Sequence, residues 1–371
     1  MTQKEQTLKE LGEKSGQLKS IQALVGLDGF VDKLMTPVDK RHGIGEHFEP
    51  IRTIEAFGKR ISGAAGMSTN IEWYPKLEKL GGNGPIMANA LLNGGLPVRY
   101  MGALGTPEIH PIFKAFAEKT NAVSVANPGV SHAAEFNDGK IIFGTTSTLE
   151  QVSYESILET MGEGAFLDAV SRADLIALTN WTMLPHMTDI YQNLVEKVLP
   201  NLGPKNHRCF FFDLADPQKR SDSDLLSALH TIKRFQNHGH VILGLNLKEA
   251  QQVDRLLENT PLDPDSDGLK TMARRICQTL SLGTVVVHPS DCAACANKQD
   301  AWYVQGPYCE SPKVTTGAGD HFNAGFCTGM VLGLSPLASL LIAVSFSGYY
   351  VRTAKSPSMQ EMEQFIRNDY S

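Results

Sequence analysis

Short apolar runs alternate with longer segments of mixed polarity along most of the chain. The runs have the length of buried strands and lie at Ala23–Val31, Val98–Leu104, Leu175–Thr179, Cys209–Leu214, Val241–Leu245 and Thr284–His288. Helix-length segments separate most of them, including Pro85–Asn93, Pro111–Lys119, Thr188–Val198, Ser223–Phe235 and Leu247–Leu257. Since strands that alternate with helices build βαβ units, the pattern predicts an α/β fold of three layers, in which helices cover both faces of a mostly parallel sheet.

Two segments depart from this alternation. Met35–Gly63 is long, irregular and rich in glycine, histidine and charge, whereas Ala133–Phe143 has the pattern of a hairpin that turns at Asn137-Asp138-Gly139. Both are predicted to belong to a small accessory sheet that projects from the main one. With no internal repeat and no low-complexity linker, residues 1–371 are predicted to form a single domain.

The stretch from His321 to Val351 contains no Asp, Glu, Lys or Arg. Gly333 and Pro336 divide it into two helix-length halves, so it predicts two buried helices rather than one membrane span. The first twenty residues are rich in Lys and Glu and lack the apolar region of a signal peptide. We therefore expect a cytoplasmic protein without a membrane partner.

The formal net charge of −6 argues against nonspecific nucleic-acid binding, which usually requires basic patches. Phosphate-carrying substrates are still compatible with this charge, because backbone amides bind phosphate locally. The six cysteines are irregularly spaced, which indicates reduced thiols. Cys292, Cys295 and Cys309 suggest zinc, but no fourth ligand accompanies them, so no zinc site is predicted.

A glycine-rich loop, Thr315–Asp320, runs directly into the apolar, helix-like stretch Phe322–Leu332. The first turn of a helix offers unpaired N–H groups that bind anions, and Asp320 falls in that turn. A carboxylate beside an anion hole provides what phosphoryl transfer to a hydroxyl requires, a base for the proton and donors for the developing charge. The alternative interpretation is an ordinary glycine-rich helix cap.

Polar residues also follow two other predicted elements on the amino-terminal side. Asn83, in the sequence Gly81–Gly84 before a helix, offers both donors and an acceptor to a hydroxyl, or simply belongs to a helix-capping loop. Asp28 and Asp32 end the first strand run, where carboxylates accept hydrogen bonds from sugar hydroxyls or act as turn and cap residues.

A third group of polar residues follows the predicted strand Val241–Leu245. Asn246 and Glu249 are spaced to hold a hydrated Mg²⁺ near a nucleotide phosphate. The same spacing is that of a helix capping box, and the two interpretations are compatible. Asp213, at the end of Cys209–Leu214, is either a further residue of the same edge or a turn residue.

In this order, the motifs resemble those of the ribokinase, or PfkB, family of carbohydrate and nucleoside kinases. The resemblance extends from about Ile21 to the end of the chain and rests on Gly82-Asn83 with the helix that follows, Leu96–Gly102, Asn246-x-x-Glu249 and Thr316–Phe322. It implies a ribokinase-like fold in which residues 33–63 and 127–148 form a β-lid. Such a lid closes over the sugar and often builds a homodimer.

The resemblance also implies roles for individual residues. Asp320 corresponds to the catalytic base, and Asn246 and Glu249 would organise Mg²⁺ through water. The amides of Gly317, Ala318, Gly319 and Asp320 would form the anion hole. The residues that would bind the substrate are Asp32, Asn83 and Gly82, and the position of Asp28 adds it to this group. The residues near the nucleotide would be Asn246, Glu249, His288 and Ser290.

The chain departs from the family pattern at two places. Val314 replaces an Asp that is tied to a monovalent-cation site, so we expect activity to depend little on potassium. His288-Pro289-Ser290 stands where family members usually carry Thr-x-Gly near the nucleotide. Gly84–Asn89 is also similar to the ADP-dependent sugar kinases of the same superfamily, although the Gly-Ala-Gly-Asp loop favours ATP.

The resemblance therefore implies an ATP-dependent kinase that phosphorylates a hydroxyl of a small sugar, with Mg²⁺ as cofactor. One alternative is a nucleoside kinase, for which Phe30, Phe57 and Trp73 are candidate base-stacking residues. A second is a sugar-sensing protein that has the fold without the catalysis. Retention of Asp320 and the complete Gly-Ala-Gly run argues against this second alternative.

Overall fold

The computed structural model describes residues 2–203, 205 and 208–368. Its strands, in chain order, are β1 Ala23–Gly26, β2 Phe30–Arg41, β3 Phe48–Pro50, β4 Trp73–Gly81, β5 Val98–Ala103, β6 Val123–Ala126, β7 Gly129–Phe136, β8 Gly139–Thr145, β9 Leu175–Leu178, β10 Cys209–Asp213, β11 His240–Asn246, β12 Thr284–His288, β13 Cys292–Ala296 and β14 Ala301–Gln305.

The α-helices are α1 Gln3–Lys14, α2 Ile54–Ser62, α3 Asn83–Asn93, α4 Lys114–Thr120, α5 Tyr154–Met161, α6 Glu163–Arg172, α7 Met187–Asn193, α8 Asp222–Arg234, α9 Leu247–Leu256, α10 Ser266–Leu280, α11 Ala318–Val331, α12 Pro336–Thr353 and α13 Met359–Asn368.

The main sheet has nine strands in the order β14-β13-β12-β11-β10-β9-β1-β5-β6. All neighbours are parallel except β12–β13 and β13–β14, which are antiparallel. One face packs on α5 to α10 through residues such as Phe166, Leu229 and Ile276. The other packs on α1, α3, α4 and α11 to α13 through residues such as Leu91 and Phe326. The predicted three-layer α/β fold is confirmed.

A second sheet forms the lid. Its order is β3-β2-β7-β8, and β4 also pairs with β2. The predicted hairpin is confirmed, since β7 and β8 are antiparallel and Phe136 lies opposite Gly139. The predicted lid segments did not include β4. The segment Met35–Gly63, which appeared irregular, contains most of β2 together with β3 and α2.

The predicted strand Ala23–Val31 was wrong as a single element. It is divided between the two sheets, because β1 ends at Gly26 and β2 begins at Phe30. Between them the chain crosses close to β5. A Cβ atom on Gly26 would lie 2.6 Å from the Met101 carbonyl oxygen, and one on Gly29 would overlap the Ala103 carbonyl. Glycine at these positions lets the chain leave the main sheet and enter the lid.

The long stretch without Asp, Glu, Lys or Arg forms α11 and most of α12, which pack directly on each other. A Cβ atom on Gly325 would lie 2.9 Å from the Ala343 Cα, and one on Gly329 would lie 2.6 Å from the Ser339 Oγ. Small residues therefore allow close contact between two buried helices. In the part of the chain that the structure describes, no helix has the length and apolar character needed to cross a membrane.

Candidate active site

A cavity of about 810 Å³ lies between the lid and the carboxyl edge of the main sheet. The lid contributes charged and hydroxyl side chains, and the sheet side contributes helix starts and strand ends. Among the polar residues that line it are Asp32, Lys79, Ser131, Glu135, Lys140, Asn83, Asp213, Asn246, Glu249, His288 and Asp320. Residues far apart in the sequence thus meet in one cavity, at the edge where parallel α/β sheets bind their ligands.

The glycine-rich loop forms the start of α11. Gly317 has φ of 93°, a left-handed conformation that favours glycine, and precedes the first helical residue. The Ala318 amide donates to the Thr315 carbonyl at 3.1 Å, and Ala318 does not line the cavity. Within the described chain, no hydrogen bond uses the amides of Gly317, Gly319 or Asp320, and all three residues line the cavity. These three N–H groups are therefore the stronger candidates for an anion hole, and the Ala318 amide supports the turn instead.

Asp320 lies in the first turn of α11 and is almost completely buried. Asn83 donates from its Nδ2 to Asp320 Oδ1 at 2.9 Å. Burial raises the pKa of Asp320 to about 8; the hydrogen bond from Asn83 lowers it, and the charges of Asp28, Asp32 and Glu249 raise it. A carboxyl group with this pKa can both take and release a proton near neutral pH.

Asp28 was predicted to contact the sugar, but it does not line the cavity. Its carboxylate accepts hydrogen bonds from the amides of Asn83 at 2.9 Å and Gly84 at 2.8 Å, and from Asn180 Nδ2 at 2.7 Å. The Tyr100 hydroxyl donates to its carbonyl. Burial raises the pKa of Asp28 to about 6, and the hydrogen bonds from Asn180, Gly84 and Asn83 to the carboxylate oppose the rise. Asp28 therefore holds the first residues of α3 beside the cavity.

Asp32 and Gly82, two of the residues predicted to bind the substrate, both line the cavity. Asp32 is part of β2 on the inner face of the lid, and Ser131 Oγ on β7 donates to its Oδ1 at 2.6 Å. A Cβ atom on Gly81 would lie 2.4 Å from the nearest atoms of this carboxyl group, so glycine leaves room for its present position. The remaining lone pairs of Asp32 are left for a ligand hydroxyl.

Asn246 and Glu249 form the capping box of α9 and also line the cavity. The Glu249 amide donates to Asn246 Oδ1 at 3.0 Å, and the Asn246 amide donates to Glu249 Oε2 at 2.9 Å. The Asp216 amide donates to Glu249 Oε1 at 2.8 Å. In the described chain no three His, Cys, Asp or Glu residues are grouped closely enough to ligate a metal. These oxygen donors fit a magnesium ion that retains its water ligands.

Asp213 ends β10 next to this pair. Asn323 Nδ2 donates to its Oδ2 at 2.9 Å. Burial and the charges of Glu249 and Asp320 raise its pKa well above the usual range. Asp213 is therefore a cavity residue and not merely the turn residue of the alternative interpretation.

The two predicted nucleotide-binding residues after β12 differ in placement. His288 lines the cavity and stacks on Phe322 with ring centroids 4.5 Å apart; burial lowers its pKa to about 4. Ser290 is exposed and does not line the cavity. The base-stacking candidates Phe57 and Trp73 pack against each other, with ring centroids 5.8 Å apart, and only Phe30 of that group lines the cavity.

The fold does not bring the thiols of Cys292 and Cys295 together at a zinc site. Cys292 and Cys295 lie on the same strand, β13, but Cys292 packs into one core cluster and Cys295 into the other. Side chains three residues apart on a strand point to opposite faces of the sheet. The two thiols therefore cannot ligate one ion.

Lys140 is the main residue that sequence reasoning missed. It follows the turn of the lid hairpin, and its Nζ donates to Thr316 Oγ1 of the glycine-rich loop at 2.9 Å. Glu135 Oε1 lies 3.8 Å from the same nitrogen. The alternation of the hairpin could have assigned Lys140 to the inner face of the lid, but its contact with the loop depends on how the two sheets meet. The lid thus brings a cation to the candidate anion hole.

The doubly wound sheet, the β-lid and the Gly-Ala-Gly-Asp loop over one cavity define a carbohydrate kinase of the ribokinase-like class. The prokaryotic ketohexokinase family model matches residues 5–370, and the chain belongs to that family. It is 25% identical over 344 residues to a ketohexokinase from Haloferax volcanii. The aligned region covers 92% of this chain and 90% of that relative.

Solved structures support the same fold. An Arabidopsis thaliana ribokinase complexed with ribose and ATP has a TM-score of 0.64 at 17% identity, covering 94% of this chain and 99% of that one. A Methanocaldococcus jannaschii nucleoside kinase has a TM-score of 0.61 at 11% identity, covering 93% and 98%. Because both sugar and nucleoside kinases share this fold, the fold alone does not select the acceptor.

Replacement Asp28→Ala should destabilise the protein by about 2–3 kcal/mol, because it leaves the first amides of α3 and the Asn180 amide group without their acceptor. Urea unfolding at pH 7.5 measures this change. Asp32→Ala is the matched control on the lid and should change the free energy of unfolding by less than about 1 kcal/mol. Equal destabilisation by the two variants would refute the role assigned to Asp28.

Proposed function

We propose that the protein transfers the γ-phosphoryl group of ATP to a hydroxyl group of a ketohexose, with Asp320 as general base. The observation that carries this proposal is the position of Asp320, buried in the cavity at the start of α11, where the amides of Gly317, Gly319 and Asp320 have no acceptor among the described residues. The ketohexokinase from Haloferax volcanii supports a ketohexose as the acceptor.

In this mechanism the acceptor hydroxyl lies between Asp320 and the transferring phosphoryl group. Asp320 accepts the hydroxyl proton as the new oxygen–phosphorus bond forms and the bond to the leaving ADP oxygen breaks. The amides of Gly317, Gly319 and Asp320 donate to the phosphoryl oxygens. Because the transition state is loose, the proton can move late, and Asp320 need not be a strong base.

Asn83 and Asp32 are proposed to orient the sugar from opposite sides. Asn83 already donates to Asp320 and its carbonyl oxygen is left for a sugar hydroxyl. Asp32 is presented by the lid, so its contact with the sugar would form as the lid covers the cavity. Covering the cavity excludes water, which would otherwise compete as the phosphoryl acceptor.

Asn246 and Glu249 are proposed to hold Mg²⁺ through its water ligands, with His288 near the nucleotide. When bound, Mg²⁺ would neutralise charge on the phosphate oxygens. The protein's own contribution there is orientation: the capping box and the Asp216 amide fix both carboxylate oxygens of Glu249. Ser290 has no comparable support.

The alternatives make different demands on the cavity. A nucleoside kinase needs an aromatic surface for the acceptor base. Phe57 and Trp73 pack away from the cavity, and of the three candidates only the largely buried Phe30 lines it, which argues against this alternative. A sugar-sensing protein does not need a base with a pKa near neutrality. Dimerisation through the lid, a cytoplasmic location and the small effect of potassium expected from Val314 stay predictions.

A coupled assay with Mg-ATP tests the proposal directly. Fructose and other ketohexoses are compared with aldoses, ribose and adenosine at equal concentration, and the phosphorylated product is identified by mass spectrometry and NMR. We expect the highest kcat/KM for a ketohexose. Preferential turnover of adenosine would support the nucleoside kinase instead, and nucleotide and sugar binding without turnover would support the sensor. Mg-ADP in a parallel series tests the donor.

Replacement Asp320→Asn should lower kcat by about 10²–10⁴ while the fold is kept, because it removes a positioned base. The wild-type kcat/KM should fall as pH decreases below about 8, where Asp320 becomes protonated. The raised pKa of Asp320 means that the folded state binds this proton more tightly than the unfolded chain, so the contribution of Asp320 to stability falls as pH rises from about 4 to 8. The Asp320→Asn variant should therefore melt a few degrees higher than the wild type at pH 8. A near wild-type rate of the variant with saturating sugar would disprove the role of Asp320 as general base.

Replacement Asp32→Ala should raise the KM for the sugar by about tenfold or more, while the KM for ATP changes little. The reason is that Asp32 is on the lid side of the cavity and a hydrogen bond to a charged group contributes about 1.5–3 kcal/mol. Initial rates over a grid of sugar and ATP concentrations separate the two constants. Ser131→Ala, which removes only the neighbouring donor, provides a milder comparison. Loss of ATP affinity with normal sugar affinity would contradict this prediction.

Replacement Lys140→Met should lower kcat by about tenfold or more, because it removes a cation from the anion hole and keeps the length of the side chain. Lys76→Met is the matched control, since Lys76 is exposed on β4 and does not line the cavity. Steady-state kinetics of the two variants at fixed ionic strength measure the difference. Similar rates for both would show that Lys140 acts only as a surface charge.

A further inference from the structure

Two carbonyl groups of the glycine-rich loop are bound by side chains that do not line the cavity. The Gly317 carbonyl accepts hydrogen bonds from the His321 amide at 3.1 Å and from His321 Nδ1 at 2.7 Å. The Thr316 carbonyl accepts one from the Tyr350 hydroxyl at 3.0 Å. Both side chains belong to buried helices, His321 to α11 and Tyr350 to α12.

The contacts of His321 define its tautomer. A carbonyl oxygen only accepts, so Nδ1 must carry the hydrogen. Nε2 is then an acceptor, and it lies 2.8 Å from Ser356 Oγ, whose hydroxyl donates to it. Burial lowers the pKa of His321 to about 4, so the ring is neutral at physiological pH. The His321 ring also stacks on Tyr350, with centroids 3.6 Å apart and planes at 15°.

Binding a carbonyl group determines where the amide of the same peptide points. Tyr350 acts in this way on the Gly317 amide, whereas His321 acts on the Ala318 amide, which supports the turn before Gly319 and Asp320. The C=O and N–H groups of a planar trans peptide point in opposite directions. With the Thr316 carbonyl held on Tyr350, the Gly317 amide is directed away from α12, and Gly317 lines the cavity. A Cβ atom on Gly317 would lie 3.2 Å from the Tyr350 hydroxyl oxygen, so the close approach also needs glycine.

We propose that His321 and Tyr350 form a carbonyl clamp that fixes the anion hole in its phosphate-binding conformation. Both are positioning residues, because they act through the loop and do not line the cavity. The inference rests on the proposed function, in which the loop binds the transferring phosphoryl group. Such preorganisation matters most in the transition state, when charge develops on the phosphoryl oxygens.

The chain supplies a matched pair for the test. Tyr350→Phe removes only the hydroxyl group that holds the Thr316 carbonyl. Tyr349→Phe removes the neighbouring hydroxyl, which donates to Glu361 at the surface. We expect Tyr350→Phe to lower kcat by about tenfold, with the sugar KM within about twofold of wild type, and Tyr349→Phe to leave both unchanged. Equal kcat values for the two variants, or a rise in sugar KM without a fall in kcat, would overturn the clamp.

Two replacements of His321 provide a rescue experiment. The amide nitrogen of Asn occupies nearly the position of Nδ1, so His321→Asn can keep the donor to the Gly317 carbonyl, whereas His321→Leu cannot. We expect kcat to fall about tenfold or more in His321→Leu and to recover most of this loss in His321→Asn. Equal rates in the two variants would overturn the role of the imidazole, with thermal unfolding recorded to confirm that both are folded.

Binding measurements separate this inference from the proposed function. If the wild-type protein phosphorylates no sugar, the proposed acceptor is wrong, but the clamp can still be tested by calorimetry with Mg-ATP and with adenosine. Tyr350→Phe should weaken Mg-ATP binding about threefold to tenfold, and adenosine binding should be unchanged. Unchanged Mg-ATP binding would overturn the clamp, whichever sugar is the acceptor.

Discussion

The buried carboxylate of Asp28 is the interaction on which the arrangement of the cavity depends. It accepts the first amides of α3 and the side-chain amide of Asn180, which follows β9. Asn83, positioned in this way, donates to Asp320 at the start of α11. Two side chains therefore connect the crossing after β1, the start of α3 and the start of α11. A change at Asp28 would move Asn83 and with it the environment of Asp320.

The cavity gathers carboxyl groups that burial would normally keep protonated. Burial raises the pKa values of Asp320, Asp213 and Glu249, and these groups also influence one another through their charges. Such an arrangement lowers the stability of the ligand-free protein at neutral pH. It also brings the pKa of a candidate base close to the pH at which it must work. The same environment that destabilises the fold thus supplies the reactivity that the proposed chemistry needs.

The sequence predicted the six central strands of the main sheet, β1, β5 and β9 to β12, because strands buried on both faces appear as continuous apolar runs. It did not predict β6, β13 and β14, which complete the two sides of that sheet. It did not predict β4, which contains Pro75 and alternating charged residues and lies at the side of the lid. Proline is tolerated in edge strands but weakens the strand pattern. The boundary between β1 and β2 also escaped prediction, because it depends on the close approach of Gly26 and Gly29 to β5.

The candidate site was predictable where local motifs carry it and not where distant elements meet. The loop up to Asp320 and the capping box of Asn246 and Glu249 combine neighbouring residues, so their spacing is visible in the sequence. The structural role of Asp28 was not visible, since its partner Asn180 is 152 residues away. The contact of Lys140 with Thr316 spans 176 residues and depends on the position of the lid.

Thr316 is the residue of the glycine-rich loop that both the lid and the core contact. Its side chain is contacted by Lys140 from the lid, and its carbonyl is held by Tyr350 from α12. A displacement of the lid would therefore remove a cation from the loop without releasing the backbone. In the proposed function, these two contacts would contribute separately to phosphate binding. The core would keep the amides in a fixed orientation, and the lid would add positive charge and exclude water only when the cavity is covered.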